Sequence, residues 1–256
     1  MNIVKINNRL LTYIDYDKEL AEYFNCSVEE VVKDRKKVNF DKEWQMKVKD
    51  SKTANKFYAQ TFSNLFRQSQ QREKRLILYR RILKNILETQ YNYELDMSFS
   101  EHEYNGKMFS NYTMQNVLDY GCGIGDIGLM MAMIGYNVNL LEIGESELEK
   151  FIKWRFEKRN LPYNFIPYKQ QLKLGVYDIV ICIDVLEHHE DPKIALLDMY
   201  DSLRRFGYLF LEYGWEERIE YAKQLGGLDI DDKFIKKFIK EKFIIKDKDS
   251  FWLIKK

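Results

Sequence analysis

An aspartate followed by three alternating glycines is the clearest chemical feature of the chain. The run VLDYGCGIGD ends an apolar stretch at Asp119 and places Gly121, Gly123 and Gly125 directly after it. Glycine lets the backbone turn tightly and lets a ligand approach with no Cβ in the way. Where such a loop leads into a helix, the N–H groups and the partial positive charge of the helix N-terminus suit a carboxylate or a phosphate. The run therefore predicts a ligand-binding loop.

A second acid lies at the end of the next apolar stretch. Glu142 closes the run VNLLE, 23 residues after Asp119. An acid at about that distance can accept both hydroxyls of a ribose, as the corresponding acid does in dinucleotide-binding folds. A nicotinamide dinucleotide is one alternative ligand for such a loop. Two features argue against a dinucleotide. The glycine spacing is GxGxG rather than GxGxxG, and Asp119, before the first glycine, can accept hydrogen bonds from the amino group of a cationic ligand.

Histidine is scarce, and two of the three histidines are adjacent. His188 and His189 lie shortly after the apolar run YDIVICID, whereas His102 is far from both in sequence. A histidine with a pKa near neutrality is well suited to take a proton from a hydroxyl group. We therefore expect His188 or His189 to be the catalytic base.

The elements that must position these residues begin near residue 114. Short apolar runs there alternate with amphipathic stretches, a pattern typical of βα units around a parallel sheet. In such sheets ligands bind beyond the carboxyl ends of the strands. The pattern predicts strands over 116–119, 138–142, 165–168, 177–184 and 207–213, helices over 126–134, 146–158, 191–205 and 232–241, and a closing hairpin over 242–246 and 251–255.

The N-terminal part has a different pattern. Apolar residues recur at helical spacing over 17–35 and 54–88, and Ser27 followed by Glu30 fits a capping box. Residues 90–112 show no clean period and are interpreted as a linker. We therefore predict an N-terminal helical or lid region over 1–111 and a ligand-binding domain over 112–256.

Composition limits the classes of function. Lys and Arg number 41 against 40 Asp and Glu, so no global basic field draws the chain to nucleic acid. The three cysteines form no CxxC pair, which argues against a disulfide framework or a zinc knuckle. No stretch approaches the ~20 apolar residues that span a bilayer, and the N-terminus does not resemble a signal peptide. We expect a cytoplasmic protein whose partner is a small molecule.

Three runs together resemble a known family. DYGCGIGD, NLLE and YDIVICIDVLEHHEDP are similar to the class I S-adenosylmethionine-dependent methyltransferases, most closely the small-molecule O-methyltransferase branch that includes the ubiquinone and sugar enzymes. The similarity covers residues 112 to about 256. It implies an α/β fold: a Rossmann-like, seven-stranded, mostly parallel sheet with an antiparallel last strand and helices on both faces, joined here to the N-terminal helical region. It also implies S-adenosyl-L-methionine as cofactor and S-adenosyl-L-homocysteine as product.

The resemblance also implies roles for residues. The loop wraps the methionine part of the cofactor, Glu142 holds the ribose and Ile143 lies against the adenine. Tyr168 stands where the family often has an aspartate that contacts the adenine amino group, which is a departure from the pattern. Asp184 faces the sulfonium end and the substrate. The cofactor-binding set implied in this way is Asp119, Tyr120, Gly121, Gly123, Gly125, Glu142, Ile143, Tyr168 and Asp184.

The activity implied is methyl transfer to a small hydroxyl-bearing metabolite, with a sugar or a phosphorylated precursor of a surface glycan as the first expectation. N-methylation is the near alternative, because an amine acceptor needs no strong base. RNA 2′-O-methylation is a further alternative, because Asp184, Glu187 and His188 also resemble the metal-binding element of some RNA 2′-O-methyltransferases. No residue is assigned as a metal ligand, and whether a divalent metal binds there stays open. A cofactor-binding subunit without catalysis is an alternative of another class. Oligomeric state is not predicted.

Overall fold

The computed structural model describes residues 15–37, 65, 78–88, 116–144, 146–186, 189, 191–212, 232–247 and 252–256. Within them the helices are α1 Tyr16–Phe24, α2 Val28–Lys37, α3 over 78–88, α4 Asp126–Met133, α5 Glu147–Glu157, α6 Pro192–Ser202 and α7 Asp232–Lys242. The strands are β1 Asn116–Tyr120, β2 Asn137–Glu142, β3 Asn164–Pro167, β4 Tyr177–Ile183, β5 Leu203–Glu212, β6 Phe243–Asp247 and β7 Trp252–Lys255.

The strands form one seven-stranded sheet in the order β3-β2-β1-β4-β5-β7-β6. Strands β1 to β5 pair in parallel, while β7 runs antiparallel to both β5 and β6. The predicted mostly parallel sheet with an antiparallel last strand is confirmed. Because β1 has β2 on one side and β4 on the other, the strand order reverses beside β1. The carboxyl end of β1 is therefore the position where an open α/β sheet binds ligands.

Helices cover both faces of the sheet. Successive residues of a strand point to opposite faces, so Val117 packs in one apolar layer and Leu118 in the other. The first layer includes α4 and α5, and the second includes α6 and α7. Tyr16 and Leu20 of α1 and Leu83 of α3 also belong to the first layer. The described N-terminal helices thus share a core with the sheet, whereas the predicted boundary near residue 111 lies outside the described residues.

Local capping chemistry sets several helix starts as the sequence predicted. The Ser27 hydroxyl accepts from the Glu30 N–H at 3.1 Å, and the Glu30 carboxylate accepts from the Ser27 N–H at 2.8 Å. The hydroxyl of Ser146 caps α5, and the carboxylate of Asp191 caps α6. The 17–35 stretch forms two helices, since Asn25 ends α1 in the left-handed region with φ 53° and a second helix starts after Ser27, as its capping box predicts.

The predicted helix over 191–205 is three residues too long. Helix α6 ends at Ser202, and β5 begins at Leu203, whose backbone is extended and whose side chain is fully buried. Leu203 pairs with Tyr177 of β4. Sheet pairing and burial thus end the helix earlier than its apolar spacing suggested. The predicted linker over 90–112, and residues 54–77 of the predicted second helix apart from Leu65, lie outside the described residues.

Candidate active site at the carboxyl edge of the sheet

The glycine loop joins β1 to α4 in a left-handed conformation. Gly121, Gly123 and Gly125 have φ values of 69°, 57° and 72°, a region that strongly favours glycine. A Cβ on Gly121 would lie 2.5 Å from Cγ1 of Val185, which follows β4. This glycine therefore allows both the turn and the close approach of the chain that leaves β4.

Glu142 joins the end of β2 to this loop. Its Oε2 accepts the N–H of Gly123 at 2.7 Å, and its Oε1 accepts the N–H of Ile143 at 2.9 Å. Burial raises the pKa of the carboxyl to about 7, although the two N–H groups act in the opposite direction. Two fixed hydrogen bonds orient both oxygens, and each oxygen keeps a further lone pair that can accept a hydroxyl. These two acceptor oxygens fit the pair of donating hydroxyls of a ribose.

Asp119 lies beneath the loop rather than on its surface. Its carboxyl is buried, and Oδ2 accepts the N–H of Gly128 in α4 at 3.0 Å. Burial raises the pKa of Asp119 to about 8, and the charges of Glu142 and Asp126 add to the shift. The observed bond fixes the first turns of α4 against β1. A contact from Asp119 to the amino group of a ligand stays a prediction.

Gly128 was missed by the sequence analysis, although it decides how closely α4 packs. A Cβ there would lie 2.5 Å from Cδ2 of Leu140 and 3.0 Å from Oδ2 of Asp119. The signal in the sequence was a glycine inside an apolar helix, where glycine costs about 1 kcal/mol relative to alanine. Such a residue is expected only where a close approach requires it.

The end of β3 brings an aromatic cluster to the same edge. The ring of His189 lies 5.5 Å from that of Tyr120 and 5.4 Å from that of Tyr168, measured between centroids. The Tyr168 N–H donates to the carbonyl of Glu142 at 2.7 Å, so this tyrosine is fixed beside the acid. Burial lowers the pKa of His189 to about 4. The imidazole is therefore neutral at neutral pH.

Asp184 directly follows β4 and redirects the chain. It has a left-handed φ of 55°, a region that aspartate tolerates better than most residues. Its N–H donates to the carbonyl of Glu212 at the end of β5, at 3.0 Å. Of the two residues predicted as the base, His189 is described, whereas His188, its neighbour Glu187 and His102 lie outside the described residues. Within the described part of the chain, no group of three His, Cys, Asp or Glu could hold a metal ion.

Arg155 is a second residue that the sequence analysis missed. It lies on α5, fully buried, and its guanidinium contacts both the glycine loop and helix α1. An arginine in an amphipathic helix looks like part of the solvated face. Its role depends on partners that are distant in sequence, so spacing alone gave no signal.

The comparisons with known proteins identify the family. A family model described as a methyltransferase domain matches residues 79–244, which is more than half of the chain. The chain belongs to this methyltransferase family. It is a class I S-adenosylmethionine-dependent methyltransferase, which confirms the predicted family and enzyme class, and membership implies S-adenosylmethionine as the cofactor.

Similar curated proteins carry a more specific name. The ubiquinone biosynthesis O-methyltransferases of Shewanella pealeana and Acinetobacter baylyi are each 31% identical over 100 residues, which cover 38% of this chain and 42% of each relative. The match thus spans about two fifths of the length of these relatives. Among solved structures, the PH0226 protein of Pyrococcus horikoshii OT3 is 21% identical with a TM-score of 0.38, over 46% of this chain and 57% of that one.

The described helices also bear on the membrane prediction. Among the residues that the structure describes, no helix is both long and apolar enough to cross a membrane.

Proposed function

We propose that this methyltransferase transfers a methyl group from S-adenosylmethionine to a hydroxyl oxygen of a small metabolite. The observation that carries the proposal is the Glu142 carboxylate, fixed by the N–H groups of Gly123 and Ile143 at the end of β2. When bound, the cofactor supplies an electrophilic methyl group on a sulfonium. The relatives that match this chain are named as O-methyltransferases, which supports oxygen as the acceptor atom.

The cofactor assignments follow from the edge of the sheet. In the proposal Glu142 accepts the ribose hydroxyls, and Ile143 and Tyr168 flank the adenine. Gly121, Gly123 and Gly125, with Asp119 and Tyr120 behind them, shape the site of the methionine part, and Asp184 faces the acceptor. The support is that β1, β2, β3 and β4 all end at this edge.

His188 and His189 have different roles in this proposal. O-methylation needs an oriented acceptor and a group that takes the hydroxyl proton. A base with a pKa of about 4 takes that proton poorly, and the ring of His189 contacts the rings of both Tyr120 and Tyr168. We therefore propose His189 as a wall of the site. His188, next to it in sequence, stays the prediction for the base.

The N-terminal region completes the proposal. We divide the chain into a helical region over 1–111 and a methyltransferase domain over 112–256, and propose that the first supplies acceptor specificity. Support comes from α1, whose side chains pack on α5 beside the cofactor loop.

N-methylation is the second candidate, and the low pKa of His189 favours it. An amine acceptor that binds in its neutral form attacks the methyl group without a strong base. A hydroxyl acceptor needs a base, so the two functions differ in their dependence on His188.

Matched pairs of acceptors test the proposal. The protein is incubated with methyl-labelled S-adenosylmethionine and pairs of phenols, sugars and phosphorylated sugars whose partners carry an amine in place of the hydroxyl. Mass spectrometry then locates the label. Label on oxygen supports the proposal, and label on nitrogen alone would replace it with N-methylation. The Glu142→Ala variant is the control, in which labelling at limiting cofactor is expected to fall.

A further inference from the structure

Helix α1 is joined to α5 by a buried ion network. Oε2 of Glu19 accepts from Nε of Arg155 at 3.0 Å and from Nη2 of Arg155 at 2.8 Å, and its Oε1 pairs with Arg159. The Arg155 side chain is fully buried, and its guanidinium lies over the rings of Tyr16 and Phe151, 5.7 and 5.6 Å from their centroids. The guanidinium thus contacts Glu19 and Tyr16, which are distant in sequence, and Phe151 of its own helix.

The other edge of the same guanidinium contacts the glycine loop. Nη1 of Arg155 donates to the carbonyl of Ile124 at 2.5 Å, and Nη2 donates to Oδ1 of Asp126 at 2.7 Å. Ile124 precedes the third glycine of the loop, and Asp126 is the first residue of α4. One planar guanidinium therefore connects α1 to the back of the proposed cofactor loop.

The contact to Ile124 constrains the loop backbone. A peptide unit is planar, so its C=O and N–H groups point in opposite directions. With the Ile124 carbonyl held by Arg155, the N–H of Gly125 is directed at the carbonyl of Cys122, which accepts it at 2.7 Å. Gly125 has a φ of 72°. Arg155 thus stabilises the left-handed turn from behind, and leaves the opposite side of the loop to a ligand.

Charge balance makes Glu19 part of this arrangement. Burial by itself lowers the pKa of Arg155, but the carboxylates of Asp126 and Glu19 raise it above its usual value. A buried cation needs such partners, because an unpaired charge in the interior is costly. Without the charge of Glu19, Asp126 would be the remaining carboxylate paired with Arg155 among the described residues, and the guanidinium would shift toward Asp126 or draw in water.

We propose that Glu19, acting through Arg155, is a positioning residue for the glycine loop, so that helix α1 tunes the affinity for the cofactor. The inference rests on the proposed cofactor site. It makes the N-terminal helices part of cofactor binding as well as of acceptor recognition.

A second ion pair across the same two helices provides a matched control. Glu22 of α1 pairs with Lys158, which follows α5, on the exposed side of the contact. Glu22→Gln removes the same charge from the same helix, one turn away, at a position directed toward solvent. Glu22→Gln therefore shows how much a weaker contact between α1 and α5 affects the glycine loop by itself. Any larger effect of Glu19→Gln is then specific to its pairing with Arg155.

The experiment compares the native protein with Glu19→Gln, Glu22→Gln and Arg155→Lys. Hydrogen exchange of the ligand-free proteins reports the loop amides over 121–126, and calorimetric titration with S-adenosylhomocysteine reports affinity. Glu19→Gln and Arg155→Lys are expected to speed loop exchange and weaken binding about 10-fold, a usual size for such coupling. Lysine fails because a point charge cannot make the contacts of the fork. Glu22→Gln is expected to match the native protein.

Loop exchange in Glu19→Gln equal to that of the native protein would overturn the inference. So would an equal rise in Glu22→Gln. Glu19→Asp keeps the charge at shorter reach, and it is expected to lie between the native protein and Glu19→Gln in both measurements. Should Glu19→Gln not fold, Glu19→Asp decides alone: unchanged loop exchange would overturn the inference.

Hydrogen exchange is measured without a ligand. The positioning role of Glu19 and the proposed cofactor site can therefore be rejected independently of each other. Suppose that loop exchange is faster in Glu19→Gln but the native protein does not bind S-adenosylhomocysteine. This result would support the positioning role of Glu19 and reject the proposed cofactor site. Native affinity for S-adenosylhomocysteine in Glu19→Gln and Arg155→Lys, with unchanged loop exchange, would support the cofactor site and reject the positioning role of Glu19.

Discussion

At the scale of single residues, two buried carboxyls dominate the candidate site. Burial raises the pKa of Asp119 to about 8 and that of Glu142 to about 7. Both groups therefore carry protons over part of the neutral range. A cationic ligand beside them favours their ionised forms and lowers both pKa values.

Cofactor binding is accordingly expected to release protons. Because the ionised carboxyls bind a cation better, affinity for S-adenosylmethionine should increase from about pH 6 to about pH 8, as these groups lose their protons. Calorimetry in buffers of different ionisation enthalpy measures the protons released. S-adenosylhomocysteine, which lacks the sulfonium charge, should show a weaker dependence. Proton uptake, or an affinity that falls with pH in this range, would contradict the assignment of these two acids.

The two histidines are expected to differ in their effect on catalysis. His189→Phe keeps a flat ring in contact with Tyr120 and Tyr168, so kcat should fall only a few-fold. His188→Ala removes the predicted base and should lower kcat about 100-fold or more on a hydroxyl acceptor. The rates are measured on an acceptor identified by the labelling screen. The reverse order would assign the base to His189, and a small effect of His188→Ala would favour N-methylation.

The glycine loop and Glu142 could be predicted from the sequence because their signal is local. Alternating glycines between an apolar run and a helix describe one turn, and the acid ends the next strand. Gly128 left only the weak signal of a glycine inside an apolar helix, and Arg155 left none. Their roles depend on Leu140 and Glu19, which spacing within one element does not reveal.

At the level of helices and strands, the close packing of α4 on β1 and β2 depends on Gly128, which has no side chain. Gly128→Ala places a Cβ 2.5 Å from Cδ2 of Leu140 and 3.0 Å from the carboxylate of Asp119. Alanine favours a helix by about 1 kcal/mol, but overpacking of this kind costs about 1–3 kcal/mol and disturbs Asp119 as well. We expect a net loss of stability together with weaker cofactor binding.

Denaturant unfolding and titration with S-adenosylhomocysteine measure both effects. Gly135→Ala is the control, since nothing lies within 4 Å of the added Cβ. It carries backbone strain at φ 100° and should lower stability without changing affinity. A Gly128→Ala protein that is more stable than the native one would contradict the account of this packing.

The order and type of the elements from β1 to β7 were predicted well because each has its own periodicity and end signals. Ser146 and Asp191 begin α5 and α6 as their capping chemistry requires. The end of α6 was not predictable in the same way. Leu203 fits a helical pattern, but its pairing with Tyr177 and its burial place it in β5.

At the scale of the whole molecule, the N-terminal helices and the sheet share one apolar layer. Leu20 of α1 and Phe151 of α5 belong to the same buried cluster, and Arg155 extends this contact to the loop at the end of β1. The sequence predicted two regions that differ in their pattern of apolar residues. It could not reveal that they share a core, because that contact joins residues more than 100 positions apart.

The central claim is that this methyltransferase binds its cofactor through the glycine loop and Glu142. Isothermal titration of the full chain with S-adenosylhomocysteine tests it most directly, beside Glu142→Ala and the exposed control Glu29→Ala. We expect one-to-one binding by the native protein and by Glu29→Ala, and an affinity at least about 10-fold weaker in Glu142→Ala, because hydrogen bonds to a charged group are lost. No binding by the folded native protein, or equal binding by Glu142→Ala, would contradict it.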